Sequence, residues 1–125
     1  MVAYSYKDRF EGPILARTKR QTIRAVGKRR HARVGEEIQN YVRMRQPSCR
    51  LVSRERCILS TPIFINFDEP AVSFDGDVIL HAGLNDFAKL DGFSGWAEMV
   101  EFWSAEHFGG QAPSGIFEGV LVRWA

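Results

Sequence analysis

Between Arg17 and Gly35 the chain reads RTKRQTIRAVGKRRHARVG, and within it Lys19 and Thr22 stand three residues apart. A threonine hydroxyl is a weak nucleophile until a neighbouring base takes its proton, and a lysine amine can be that base only when neutral. Arg17, Arg20 and Arg24 are permanently cationic and disfavour a protonated amine beside them, more so inside a cleft. Thr22-Ile23-Arg24 reads as extended backbone, so Ile23 faces one way while Thr22 and Arg24 share the other face. Thr22 and Arg24 would then point the same way.

The same segment concentrates charge. Arg17, Lys19, Arg20, Arg24, Lys28, Arg29, Arg30 and Arg33 fall within it and no acidic residue does. Blocks of like charge often form solvated arms. Here Ile14 and Leu15 precede the block, Ile23 and Val26 lie inside it and Val34-Gly35 closes it, so both ends are expected to be anchored. The imbalance extends over the whole chain: residues 1 to 56 hold 15 basic and 5 acidic side chains (net +10), residues 57 to 125 hold 2 and 10 (net −8), giving the overall +2. Such a positive half is the footprint of a phosphate-bearing partner, unless the acidic half neutralises it across an internal interface.

With 125 residues the chain fits one domain, with a core that needs neither metal nor disulfide. Its 45% hydrophobic and 26% charged residues are those of an ordinary globular protein, and no apolar run is long enough to cross a bilayer. The opening MVAYSYKDRF lacks the pattern of a secretory signal, which points to a reducing cytoplasm. Cys49 and Cys57 agree with that reading: in one extended strand they would lie about 26 Å apart, as buried or half-buried free thiols. There is no CxxC or HxxxH spacing, and His31, His81 and His107 are scattered, so neither a metal nor another cofactor is expected.

Hydropathy patterning supplies the elements that would hold these residues. A strand is expected over 3 to 6, then a short helix over Arg9 to Ala16 carrying Phe10, Ile14 and Leu15 inward. Glu36 to Arg45 reads as a half-buried strand with Ile38, Val42 and Met44 on one face and Tyr41, Arg43 and Arg45 on the other, where an aromatic ring and arginines could stack a base and hold phosphates. After a turn at Pro47-Ser48, Cys49 to Leu59 is a strand, Thr61-Pro62 a break and Ile63 to Phe67 another strand. Asp75-Gly76 marks a hairpin. The pattern then turns helical: Asn85 caps a helix ending at Leu90, Gly92 stops it, and Ser94 caps a second helix whose Trp96, Met99, Val100, Trp103 and His107 form an inward stripe. Gly109-Gly110 ends that helix, and Ile116 to Trp124 is a last strand with Ile116, Val120, Val122 and Trp124 on one face. Short strands with two or three flanking helices describe an α+β chain built on a small barrel.

The order of these pieces resembles a known family. Phe10, Ile14, Leu15, Lys19, Thr22, Ile23 and Arg24 spell F-x3-I-L-x3-K-x2-T-I-R, followed by Val34-Gly35, by Asp91 to Ser94 (DGFS), by a Trp-rich helix and by a final strand. This arrangement is similar to the ASCH domain and covers nearly all of residues 1 to 125. The resemblance implies a PUA-like β-barrel whose cleft takes RNA or a nucleoside. Small bacterial members hydrolyse N4-acetylcytidine with a lysine, a threonine and a downstream carboxylate, roles that would fall on Lys19, Thr22 and Asp91. Other members act on single-stranded RNA as ribonucleases or bind RNA without chemistry. The chain departs from the amidohydrolases in carrying Asp for Glu at 91, in its basic 27 to 33 segment and in a longer stretch between Arg50 and Asp91. Aspartate is one methylene shorter, a difference in reach of about 1 Å that matters at a reacting centre.

Two readings therefore stand. In one, Lys19 is the base, Thr22 the nucleophile, and Asp91 orients substrate or shuttles a proton in a hydrolase acting on a modified nucleoside or single-stranded RNA. In the other, a non-catalytic RNA-binding module, Lys19 and Arg24 hold phosphates, Thr22 caps a backbone group and Asp91 closes a helix at Gly92. In either, Arg17, Arg20, Arg24, Lys28, Arg29, Arg30, Arg33, Tyr41, Arg43 and Ser94 form the candidate binding surface. Oligomeric state is not legible.

Overall fold

A computed structural model describes residues 1–125. It is an α+β protein with a curled mixed sheet forming a half-barrel. The strands are β1 (Val2–Tyr6), β2 (Gln21–Ala25), β3 (Glu37–Val42), β4 (Arg50–Asn66), β5 (Ala71–Phe74), β6 (Asp77–Leu80) and β7 (Ile116–Trp124). The helices are α1 (Glu11–Leu15), α2 (Ala82–Leu90) and α3 (Trp96–His107), with a 3-10 turn at Asp8–Phe10 before α1. No helix is long and apolar enough to cross a membrane.

The wall runs β1, β3, β4, β7, β2, and the hairpin of β5 and β6 branches from the second half of β4. Only the β1–β3 pair is parallel. β4 joins the two halves because it is one 17-residue strand. Thr61-Pro62 does not break it, contrary to the sequence reading: Pro62 faces Val120 in the β4–β7 ladder, and the irregularity lies at Cys57/Leu59 instead. That bulge lets one strand serve both halves, since the extra residue bends the strand. Asp75 and Gly76 form the expected two-residue turn, both with positive φ (54° and 81°), as a type I′ hairpin requires.

β1 and β2, the two ends of the wall, do not pair with each other. Side chains bridge them. Arg24 Nη2 donates to the Ser5 carbonyl at 2.8 Å, Arg29 Nη2 to the Ala3 carbonyl at 2.7 Å, and a His31 ring nitrogen meets the Ala25 carbonyl at 3.0 Å. The core behind the wall includes Ile38, Val42, Ile63, Ile65, Leu121, Val122 and Trp124, with Phe87 from α2 and Met99 and Trp103 from α3.

Several local expectations change. Leu15 points to solvent (60% exposed), because α1 ends there and only Ile14 faces the core. β3 stops at Val42: a register shift at Asn40/Tyr41 breaks the alternation, and Arg43 and Arg45 turn left-handed (φ 53° and 66°), so Tyr41, Arg43 and Arg45 share no face. Cys49 is exposed, lying in the turn before β4, while Cys57 is buried. Asn85 sits inside α2 and caps α3 instead, its Oδ1 accepting from the Trp96 amide at 3.0 Å. Ser94 caps nothing with its side chain. Along the expected stripe of α3, Met99 and Trp103 are buried, Trp96 and Val100 half-buried and His107 exposed. Ile116 is exposed as well (63%) at the start of β7, outside the reach of the core.

Candidate active-site cleft

The turn after α1 aims Lys19 inward. Arg17 adopts a left-handed conformation (φ 63°) just past the helix, and the amides of Thr18 and Lys19 both bond the Pro13 carbonyl at 3.1 Å. The Arg20 amide then donates to the Leu90 carbonyl at 2.9 Å, which fastens this turn to the end of α2. Gly92, at φ 97°, reverses the chain beyond that end; a Cβ there would stand 3.0 Å from Lys19 Cδ and 3.1 Å from Phe10. The backbone therefore approaches the lysine stem as closely as glycine allows.

Lys19 is 3% exposed. Its Nζ donates to the Gln21 carbonyl at 2.8 Å and to the Asp91 carbonyl at 2.7 Å, with the Asp91 carboxylate at 3.7 Å. Nζ also lies over the rings of Phe10 (4.7 Å) and Tyr6 (5.4 Å). Burial pulls the amine down to about 8; the Asp91 carboxylate opposes that and the Arg24 charge adds to it. Burial likewise raises Asp91, against the pull of Lys19. Both shifts run toward a neutral pair. The two carbonyls match the two N–H bonds of a neutral amine and leave its lone pair unused, whereas the third proton of an ammonium has only the more distant carboxylate.

Thr22, on β2 and 4% exposed, lines the same cavity as Lys19, and Arg24 Nε donates to its Oγ1 at 2.9 Å. The shared face of Thr22 and Arg24 is thus realised. A guanidinium donor on Oγ1 leaves the hydroxyl proton free to move elsewhere and favours negative charge on the oxygen. Arg24 is in turn held by the Ser5 carbonyl and by the rings of Tyr4 and Tyr6, 5.1 and 5.0 Å from its guanidinium carbon.

Behind this layer is a second one. Gln21, fully buried, donates to Asp91 Oδ1 at 3.4 Å and accepts from Arg123 Nε at 2.9 Å. The Tyr6 hydroxyl donates to Asn40 at 2.9 Å, and burial holds its proton well above the usual tyrosine range. Every buried side-chain nitrogen and oxygen has a partner. No three His, Cys, Asp or Glu side chains converge to hold a metal ion.

Lys19, Thr22, Arg24 and Asp91 line one cavity of about 270 Å³, walled by Tyr6, Phe10, Phe93, Phe102, Trp103 and Phe117. Such a volume, apolar walls and convergent polar groups suit a small planar group. Lys7 and Glu106 also line it and pair at 3.3 Å, with His107 alongside.

The remaining candidates divide. Arg24, Arg29 and Arg30 line a second cavity, while Arg17, Arg20 and Ser94 lie around a separate open depression with Asp86 and Lys89. Lys28 and Arg33 are exposed on the loop. Tyr41 turns its hydroxyl to Gln39, and Arg43 pairs with Asp8 at 3.1 Å, so neither lines these cavities. Neutralisation by the acidic half is partial: Lys7–Glu106, Arg9–Glu98 and Lys19–Asp91 cross between the halves, while Arg17–Glu55, Arg30–Glu36, Arg43–Asp8, Arg50–Glu11 and Arg54–Glu37 fall within the first 56 residues. Tyr6, Gln21, Arg123 and Glu106 were not candidates from the sequence. Arg123 had a signal, as one of two basic residues in an acidic half.

Compared with known proteins, the chain matches no family model, no characterised protein and no solved structure.

Proposed function

We propose that the chain is an ASCH-type, PUA-like domain that hydrolyses the amide of a modified nucleoside of the N4-acetylcytidine kind, free or within single-stranded RNA. The observation that carries this reading is the buried Lys19 amine, whose two carbonyl partners suit the neutral form and which lies in the same cleft as Thr22. Neutral Lys19 takes the Thr22 hydroxyl proton as Oγ1 attacks the acyl carbon, and Arg24 stabilises the charge on the oxygen. The tetrahedral adduct collapses with cleavage of the C–N bond, and the Lys19 proton passes to the departing exocyclic amine. Water, deprotonated by the same amine, then releases the acyl group as the acid and restores Thr22. Asp91 holds Lys19 in place and Gln21 holds Asp91.

The alternative, a non-catalytic RNA-binding module, draws on the ion pair itself: at 3.7 Å Asp91 can also hold a permanently charged Lys19. Incubating the pure protein with N4-acetylcytidine and with single-stranded RNA, with and without divalent metal, separates the two. The hydrolase reading expects acetate and cytidine, lost in Lys19→Met, with RNA chain length unchanged; binding to RNA with no product favours the module.

A further inference from the structure

Next to the reactive cleft lies a second cavity of about 490 Å³ that the chemistry above does not use. Arg24, Arg29, Arg30, His31 and Arg45 line it and no carboxylate does. Its cations come from three separate places: β2, the loop before β3 and the left-handed turn after β3. Gathering like charges from distant segments costs free energy unless a counter-charge is supplied. Inside the protein only Arg30 has one, paired with Glu36 at 2.5 Å. Arg24, Arg29 and Arg45 form no ion pair.

The cavity is also built, not merely charged. The Ala32 amide donates to the Tyr4 hydroxyl at 3.1 Å, and that hydroxyl meets His31 Nδ1 at 3.2 Å. His31 Nε2 donates in turn to the Ala25 carbonyl, leaving Nδ1 to accept from Tyr4. This chain pins the loop to β1 and β2, and the Ser5 and Ala3 carbonyls fix the Arg24 and Arg29 guanidinium groups. Ser5, Arg24 and Ala25 line both cavities. The two cavities therefore adjoin, and one molecule can reach into both.

We propose that this second cavity is a phosphate subsite, so that the ligand is a nucleotide whose modified base occupies the Lys19 cleft and whose phosphate lies among Arg24, Arg29 and Arg45. The proposal rests on the nucleoside reading for the first cavity but not for the second. Arg24 and Arg29, held in advance by the Ser5 and Ala3 carbonyls, lose little entropy on gripping a phosphate, and Arg45 adds a free charge beside them.

The test compares dissociation constants for N4-acetylcytidine, its monophosphates and a trinucleotide carrying that base, at low and high salt. Wild type should bind a phosphate-bearing form at least tenfold more tightly than the nucleoside at low salt, and the advantage should shrink as salt rises. Arg29→Gln/Arg45→Gln should bind nucleoside and nucleotide equally while melting within a few degrees of wild type. Arg45→Glu, which breaks no internal bond, should reverse the preference. A further tenfold gain for the trinucleotide identifies a strand as the source of the phosphate; equality with the monophosphate identifies a free nucleotide. Equal wild-type affinity for nucleoside and nucleotides overturns the subsite and leaves the nucleoside reading intact. If the nucleoside does not bind, inorganic phosphate decides. Phosphate binding that is lost in the double variant keeps the subsite and sinks the nucleoside reading, and no phosphate binding overturns the subsite too.

Discussion

The half-barrel wall is closed in two different ways. Along β4 and β7 the backbones pair from Cys57↔Trp124 to Asn66↔Ile116, and Ile63, Ile65, Leu121 and Val122 pack behind them. Along β1 and β2 no backbone pairs form, and the gap is spanned by Arg24, Arg29 and His31 reaching to carbonyls. A ligand entering the first seam would strand buried amides and carbonyls, whereas at the second it need only displace side chains. Stability therefore concentrates at the closed seam, and the proposed chemistry at the open one.

Substitutions can break that contrast. Trp124→Ala, on the closed seam and 2% exposed, should cost about 3–5 kcal/mol in denaturant unfolding. A loss below about 1 kcal/mol would mean that this seam is not where the fold is held.

Next in size is the effect of pH. An unfolded chain keeps its lysine proton up to about 10.5, while the folded cleft releases it from about 8, so the unfolded state binds more protons between those values. Stability should therefore rise with pH from about 8 to 10, by about 2–3 kcal/mol. The Cys57 thiol, raised by burial above its ordinary 9.0, works against the rise from about 9, and Tyr4 and Tyr6, raised likewise, reverse the slope above about 10. Lys19→Met should flatten the rise. A slope unchanged in that variant would place its origin elsewhere.

Gly92→Ala probes the join between the regions. At φ 97° and 3.0 Å from the Lys19 stem, the added methyl should cost roughly 1–3 kcal/mol and displace the amine, lowering activity more than stability. Full activity in this variant would show that the lysine needs no such confinement. The smallest effect on stability belongs to the open seam itself. Arg24→Gln should melt within about 1 kcal/mol of wild type yet lose most turnover, because its bonds to Thr22 and Ser5 are partly exposed. Wild-type turnover would remove Arg24 from the mechanism.

How much could be read in advance follows the same division. Alternation, the Asp75-Gly76 turn and the glycine stops mark the strands and helices because each is set by a few adjacent residues. The shared face of Thr22 and Arg24 was legible because the two lie two residues apart on one strand, and Lys19 was paired with Thr22 by residue type and nearness in sequence. Asp91 entered only through the resemblance, and Gln21 and Arg123 not at all, since their meeting depends on β2 pairing β7 and on α2 ending beside both. Pro62 misled because a proline inside a ladder reads as a break, although it sits where β4 and β7 run on together. The basic run also misled in part: its residues divide among two cavities, an ion pair and open solvent according to turns at Arg17 and before β3.

The central claim is that Lys19 is a buried amine poised to be neutral. Selective labelling of lysine side chains and an NMR titration of the Lys19 Cε and Nζ resonances, assigned by comparison with Lys19→Met, measures this without any substrate. The midpoint should fall near 8, well below the ordinary lysine value of 10.5. A midpoint at 10.5 or above would contradict it, leaving a fixed ammonium held by Asp91 and no base for Thr22.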